Sequence, residues 1–127
     1  YACGPAPMLD ALTAATAHWT SGSVRMERFK GAEVSTSGRK PFELKLQKSG
    51  LSTTVNENES VLDAMERLGV DYPWSCREGI CGTCEASVLS GEVQHLDFVL
   101  TPEERAEQRR IMVCVSRCGG GSLVLDI

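Results

Sequence analysis

The spacing of four cysteines constrains this chain more than any other feature. The stretch Cys76-Arg-Glu-Gly-Ile-Cys-Gly-Thr-Cys84 puts four residues between its first two thiols and two between the next pair. Cys114 follows after a long insertion, inside the apolar run Ile111-Met-Val-Cys-Val115. Three thiols so close together require a loop wrapped around one point, and a strand over 111–115 is expected to bring the fourth. Gly79 and Gly82 lie inside the loop. Glycine takes positive φ readily, so the backbone there can turn its N–H groups toward sulfur. Cys3 and Cys118 stand outside the pattern, and Cys118 reads as an ordinary strand-end thiol.

A C-x4-C-x2-C…C frame is the ligand spacing of a plant-type [2Fe–2S] cluster. Two irons bridged by two sulfides take four thiolates, two per iron. Cys76, Cys81, Cys84 and Cys114 are therefore the candidate ligands. A structural zinc-binding interaction module is the alternative. Zinc sites favour two short Cys pairs, and Cys76–Cys81 is not one of them. A disulfide framework suits small secreted chains. No secretory signal is expected here, because the Ala-rich start lacks a basic segment and Asp10 interrupts it. A non-redox β-grasp scaffold with unrelated buried cysteines is the third reading, and the crowding of thiols around two glycines speaks against it.

The 127 residues suffice for one domain with an attached fragment, and a composition 42% hydrophobic and 24% charged is that of a soluble protein. No apolar run approaches the length of a membrane span, so no membrane partner is expected. The formal charge of −4 divides unevenly, with +2 over residues 1–41 and −6 over 42–127. An acidic balance of that kind argues against nucleic acid as a partner. Thiolates that stay reduced until a cluster is inserted point to the cytoplasm.

Residues 1–30 read as a strand end, a Gly-Pro turn, a helix over 7–18 and a strand over 24–29. Pro7 fits a first helical turn, where its missing N–H is not needed. So few elements cannot enclose a core, and the segment is expected to be the tail of a larger α/β domain. His18 reads as a helix-end side chain, not a ligand. Residues 31–41 lack periodicity and read as a linker. From Phe42 the pattern alternates through Gln47, turns at Ser49-Gly50 and returns over Leu51–Val55 as a hairpin. Ser60 caps a helix with Asp63 at the capping-box offset and Gly69 as the stop. Trp74 is expected to pack. Glu85–Ser90 is a strand, Thr101 caps a short helix with Pro102 and Glu104, and Leu123–Leu125 is the last strand. The elements of 42–127 make an α+β fold of the β-grasp kind, a mixed sheet packed on one helix.

With these residues placed, 42–127 resembles the plant-type ferredoxin domain. More narrowly, the whole chain is similar to the C-terminal end of the phthalate dioxygenase reductase family. That likeness is carried by Cys3-Gly-Pro5 with its helix, Met26-Glu-Arg-Phe29, the cysteine frame continuing as Met112-Val-Cys-Val-Ser-Arg117, and the ending Leu123–Ile127. The resemblance implies a nicotinamide-domain remnant over 1–30, a linker over 31–41 and a [2Fe–2S] domain over 42–127. It implies electrons passing from NAD(P)H to FMN, both bound elsewhere in the parent chain, then to the cluster and on to a terminal oxygenase. Such reductase modules also occur fused behind a haem monooxygenase, so a Rieske or a haem partner is expected. In this reading the fragment is an electron carrier and the parent an NAD(P)H-dependent oxidoreductase.

Overall fold

A computed structural model describes residues 1–27 and 38–127. The chain divides into two compact units, Tyr1–Ala32 and Glu33–Ile127. The end of the strand expected to reach Phe29, and most of the linker expected over 31–41, lie outside the described residues.

In the first unit, β1 (Ala2–Cys3) and β2 (Met26–Glu27) pair in parallel and α1 (Ala6–Ala15) connects them. This is a right-sized βαβ crossover for parallel strands. Pro7 sits in the first turn of α1, and Leu9 is the buried residue of the helix. The helix stops at Ala15 instead of residue 18. Thr16 is its C-cap, with its hydroxyl donated to Leu12 O at 2.7 Å, and the chain then closes into turns.

The second unit begins with the expected hairpin, β3 (Phe42–Leu46) antiparallel to β4 (Leu51–Val55). Phe42, Leu44 and Leu46 are buried while Glu43 and Lys45 face out, so a period of two fixes the register. Helix α2 (Val61–Arg67) starts at a complete capping box. Ser60 Oγ accepts Asp63 N–H at 3.0 Å, and Asp63 Oδ2 accepts Ser60 N–H at 3.1 Å. Val61, Leu62, Ala64 and Met65 turn into the core. Gly69, at φ +82, follows the last turn.

Strand β5 (Glu85–Ser90) leaves the cysteine loop, and β7 (Arg110–Met112) and β9 (Ser122–Leu125) complete a five-stranded sheet of order β4-β3-β9-β5-β7. The β3–β9 pair is parallel and the other pairs are antiparallel. A mixed sheet with α2 against it is the α+β arrangement expected. Two further short strands, β6 (Val93–Gln94) and β8 (Arg117–Cys118), pair with each other. They are too short to alternate visibly in sequence, and the pattern did not reveal them. Short α3 (Pro102–Ala106) carries a second capping box, between Thr101 and Glu104.

One expectation fails here. The strand over 111–115 ends at Met112, and Cys114 sits in the turn that follows it. Val115 N–H and Ser116 N–H both donate to Met112 O, at 3.2 and 3.0 Å, so the chain turns instead of extending. Apolar content alone does not distinguish such a buried turn from a buried strand.

Candidate metal centre

Two segments converge on the site. The loop 76–84 lies between α2 and β5, and the turn bearing Cys114 leaves β7. Cys84 and Cys114 are buried, with their Sγ atoms 3.1 Å apart. Cys76 is half-buried and Cys81 exposed. Backbone direction explains how thiols on separate segments meet. Arg77 adopts φ 57, Gly79 φ 72 and Gly82 φ 78, so the loop repeatedly enters the left-handed region and closes on itself.

Gly79 is the tightest point. A Cβ there would stand 2.6 Å from Val115 Cγ2 and 3.1 Å from Asp97 Cα. Its N–H is directed at the Cys114 sulfur, and its carbonyl accepts Phe98 N–H at 2.8 Å. Glu78 N–H reaches Cys76 Sγ at 3.2 Å. The expectation that the glycine loop turns amides toward sulfur therefore holds at Gly79 itself.

Hydrogen bonds also decide which thiols ionise. Thr83 Oγ1, 3.3 Å from Cys81 Sγ, lowers the Cys81 thiol to about 6 with help from the N–H groups of Cys76 and Thr83. Cys84 and Cys114 share a proton. It stays on Cys114, whose thiol is pushed up, while Cys84 falls to about 7.

Arg77 anchors the loop to α2. Its guanidinium pairs with Asp63 Oδ1 at 3.1 Å and with Glu66 Oε1, and it lies 4.0 Å above the ring of Trp74. Trp74 is 46% exposed, so it serves as a platform for Arg77 and not as core packing. Around the thiols, Arg77, Glu78 and Thr83 are exposed and Ile80 is half-buried. His18 is exposed at the end of the first unit's helix region.

The donor set fits an iron–sulfur cluster. Four soft thiols are grouped by twos, Cys84 with Cys114 and Cys81 beside Cys76. Two thiolates per iron is the requirement of such a cluster. Among the described residues, no three His, Cys, Asp or Glu side chains come together as a site for a single ion.

Sequence reasoning missed the residues that back the site. Asp97 is 2% exposed, Ser116 0% and Arg117 2%. Asp97 sits in a segment with no motif of its own, Ser116 and Arg117 were noted only as part of the run after Cys114, and burial marks all three once the chain is folded.

A family model described as the 2Fe-2S iron-sulfur cluster binding domain matches residues 44–119, which include all four cysteines of the frame. The chain belongs to this family. The match disfavours the zinc reading and agrees with a [2Fe–2S] cofactor. Over its whole length the chain is 84% identical to the toluene-4-sulfonate monooxygenase system reductase subunit of Comamonas testosteroni, of which it covers 40%. Among solved structures, an intact type IV self-sufficient cytochrome P450 monooxygenase superposes on 98% of the chain with a TM-score of 0.87 at 41% identity. The chain covers 17% of that enzyme. Phthalate dioxygenase reductase superposes on 98% with a TM-score of 0.78 at 38% identity, and the chain covers 38% of it. The ferredoxin domain is thus the electron-transferring part of a type found in oxygenase reductases and in P450 fusions.

Proposed function

We propose that Cys76, Cys81, Cys84 and Cys114 hold the [2Fe–2S] cluster, and that this domain relays single electrons from an FMN/NAD(P)H reductase module to a terminal oxygenase. The observation that carries the ligand assignment is the convergence of the loop and the Cys114 turn, with Cys84 and Cys114 in sulfur contact and the Gly79 N–H aimed at Cys114. The cluster supplies a one-electron redox couple, and the chain supplies position, burial and hydrogen bonds. Buried Cys84 and Cys114 secure the inner side of the site. The outer side, at Cys81 and the exposed Arg77, Glu78 and Thr83, is where a partner approaches. A short path at an exposed rim suits a transient electron-transfer encounter.

By the same reading, residues 1–30 end a nicotinamide-binding domain, 31–41 link it to 42–127, and FMN and NAD(P)H bind elsewhere in the parent chain. Alignment of the entire chain to 40% of a reductase subunit supports that organisation. The acceptor is a terminal oxygenase of Rieske or haem type: the 84%-identical relative is named as the reductase subunit of a monooxygenase system, and a cytochrome P450 monooxygenase is among the structural matches. No described helix is long and apolar enough to cross a membrane, and the need for thiols to stay reduced until a cluster is inserted supports a cytoplasmic location.

The test is a set of single Cys→Ser variants. Changes at Cys76, Cys81, Cys84 and Cys114 abolish or severely alter the visible spectrum and the EPR signal after dithionite, while Cys3→Ser and Cys118→Ser keep both. Loss of the signal in Cys118→Ser alone would refute the ligand assignment, and a colourless zinc-containing parent protein would refute the cluster itself.

A further inference from the structure

Behind the site lies a carboxylate that neither the cysteine frame nor the fold requires. Asp97 is buried, and the groups placed on it are donors. Its Oδ2 accepts Val99 N–H at 3.1 Å and Leu100 N–H at 2.9 Å, and its Oδ1 accepts the Ser116 hydroxyl at 3.2 Å. His95 Nδ1 stands 3.6 Å from the same Oδ1, with the His95 side chain 6% exposed. The bonds from Val99, Leu100 and Ser116 all leave the carboxylate as acceptor, the arrangement that favours a charged group in a buried place.

The position of Asp97 joins the two ligand segments. Its backbone packs on Gly79, and the next residue donates from Phe98 N to Gly79 O at 2.8 Å. Its side chain holds Ser116, which stands two residues after Cys114 and also accepts Leu96 N–H at 3.1 Å. Arg105 fixes the same segment from α3, through Leu100 O at 3.2 Å and Asp97 O. One residue therefore touches both the loop carrying three thiols and the turn carrying the fourth.

We propose that Asp97 is a positioning residue for electron transfer: it clamps the Cys114 turn to the cysteine loop, and its fixed negative charge holds the cluster's reduction potential down. This rests on the cluster lying at the four cysteines. Reduction adds one negative charge at the site, and a carboxylate shielded from water opposes it more strongly than a solvated one. Charge near the cluster and hydrogen bonding are among the factors that set such potentials.

The experiment compares Asp97→Asn, Asp97→Glu and Ser116→Ala in the cluster-loaded chain by redox titration of the visible spectrum, and in the apo-chain by amide hydrogen exchange. Asp97→Asn shifts the midpoint potential upward. Asp97→Glu and Ser116→Ala, which keep the charge, stay near the parent value while releasing cluster faster. Exchange at Val99 and Leu100 accelerates in Asp97→Asn, since their acceptor is weakened. An Asn variant whose potential moves no further than that of Ser116→Ala overturns the proposal. If the Asn variant does not load, the charge-keeping pair decides: an upward shift in either, with charge retained, overturns it equally. A parent chain that shows no [2Fe–2S] spectrum sinks the ligand reading beneath it, whereas a loaded parent with an Asn variant of unmoved potential sinks only the role of Asp97.

Discussion

Replacing Gly79 by alanine tests whether the cysteine loop is held by close approach or by conformation alone. Two costs add at this position. The residue stands at φ +72, and a side chain there costs about 1–2 kcal/mol from left-handed backbone strain. The new Cβ would also stand 2.6 Å from Val115 Cγ2 and 3.1 Å from Asp97 Cα. Val115 is branched and half-buried, and Asp97 Cα is backbone held by the bonds described above, so neither yields cheaply. Forcing a methyl into a filled site costs roughly 1–3 kcal/mol more. Gly50 and Gly82 supply the controls. Gly50 has φ +68 with nothing within 4 Å of its Cβ, and Gly82 has φ +78 with Val99 Cγ1 at 3.4 Å, an ordinary contact. Both should pay only the backbone term, about 1–2 kcal/mol. The expected order of destabilisation is therefore Gly79→Ala well above Gly82→Ala and Gly50→Ala, by about 2 kcal/mol. For a domain of this size that difference lowers the melting temperature by roughly 8–16 °C. The assay is thermal and urea loss of the cluster absorbance, with initial cluster content recorded for each variant. A Gly79→Ala protein as stable and as fully loaded as Gly50→Ala would refute the close-approach argument.

Three further outcomes follow from the same geometry. Arg117→Met removes the donor to Lys40 O at 3.3 Å, Asn56 O at 3.0 Å and Glu59 O, and should destabilise the domain on the order of 3 kcal/mol in urea unfolding; a loss below about 1 kcal/mol would mean water replaces those bonds. In the apo-protein at pH 7, exposed Cys81, lowered to about 6, is mostly thiolate and should be alkylated by iodoacetamide before buried Cys114 and Cys118; peptide mapping that finds Cys114 modified first contradicts the hydrogen-bond pattern. Electron transfer to a separate partner should slow as salt shortens the screening length to roughly 8 Å, and Glu78→Lys should flatten that slope; a salt-independent rate leaves contact through Ile80 as the better account.

How much was legible beforehand follows from how each signal is encoded. The hairpin at 42–55 was readable because one face is buried and the other wet, which writes a period of two into Phe42–Leu46. Both capping boxes were readable because a Ser or Thr and an acid three residues later satisfy two helix-end donors without help from the rest of the fold. The spacing of the proposed ligand frame was readable because three of its four thiols, Cys76, Cys81 and Cys84, lie within nine consecutive residues. These are all short-range facts, and sequence order preserves them.

Tertiary structure alone decided the rest. Cys114 lies in a turn and not on a strand, because Val115 and Ser116 bond back to Met112 O, which an apolar run does not announce. Trp74 is exposed under Arg77 because Asp63 and Glu66, eleven and more residues away on α2, hold the guanidinium there. Asp97 meets Gly79 and Ser116 across separations of 18 and 19 residues. Contacts of that kind depend on where β7, α3 and the loop come to rest against one another. A residue's type says what it can bond to, but only the packed sheet determines which partner is within reach.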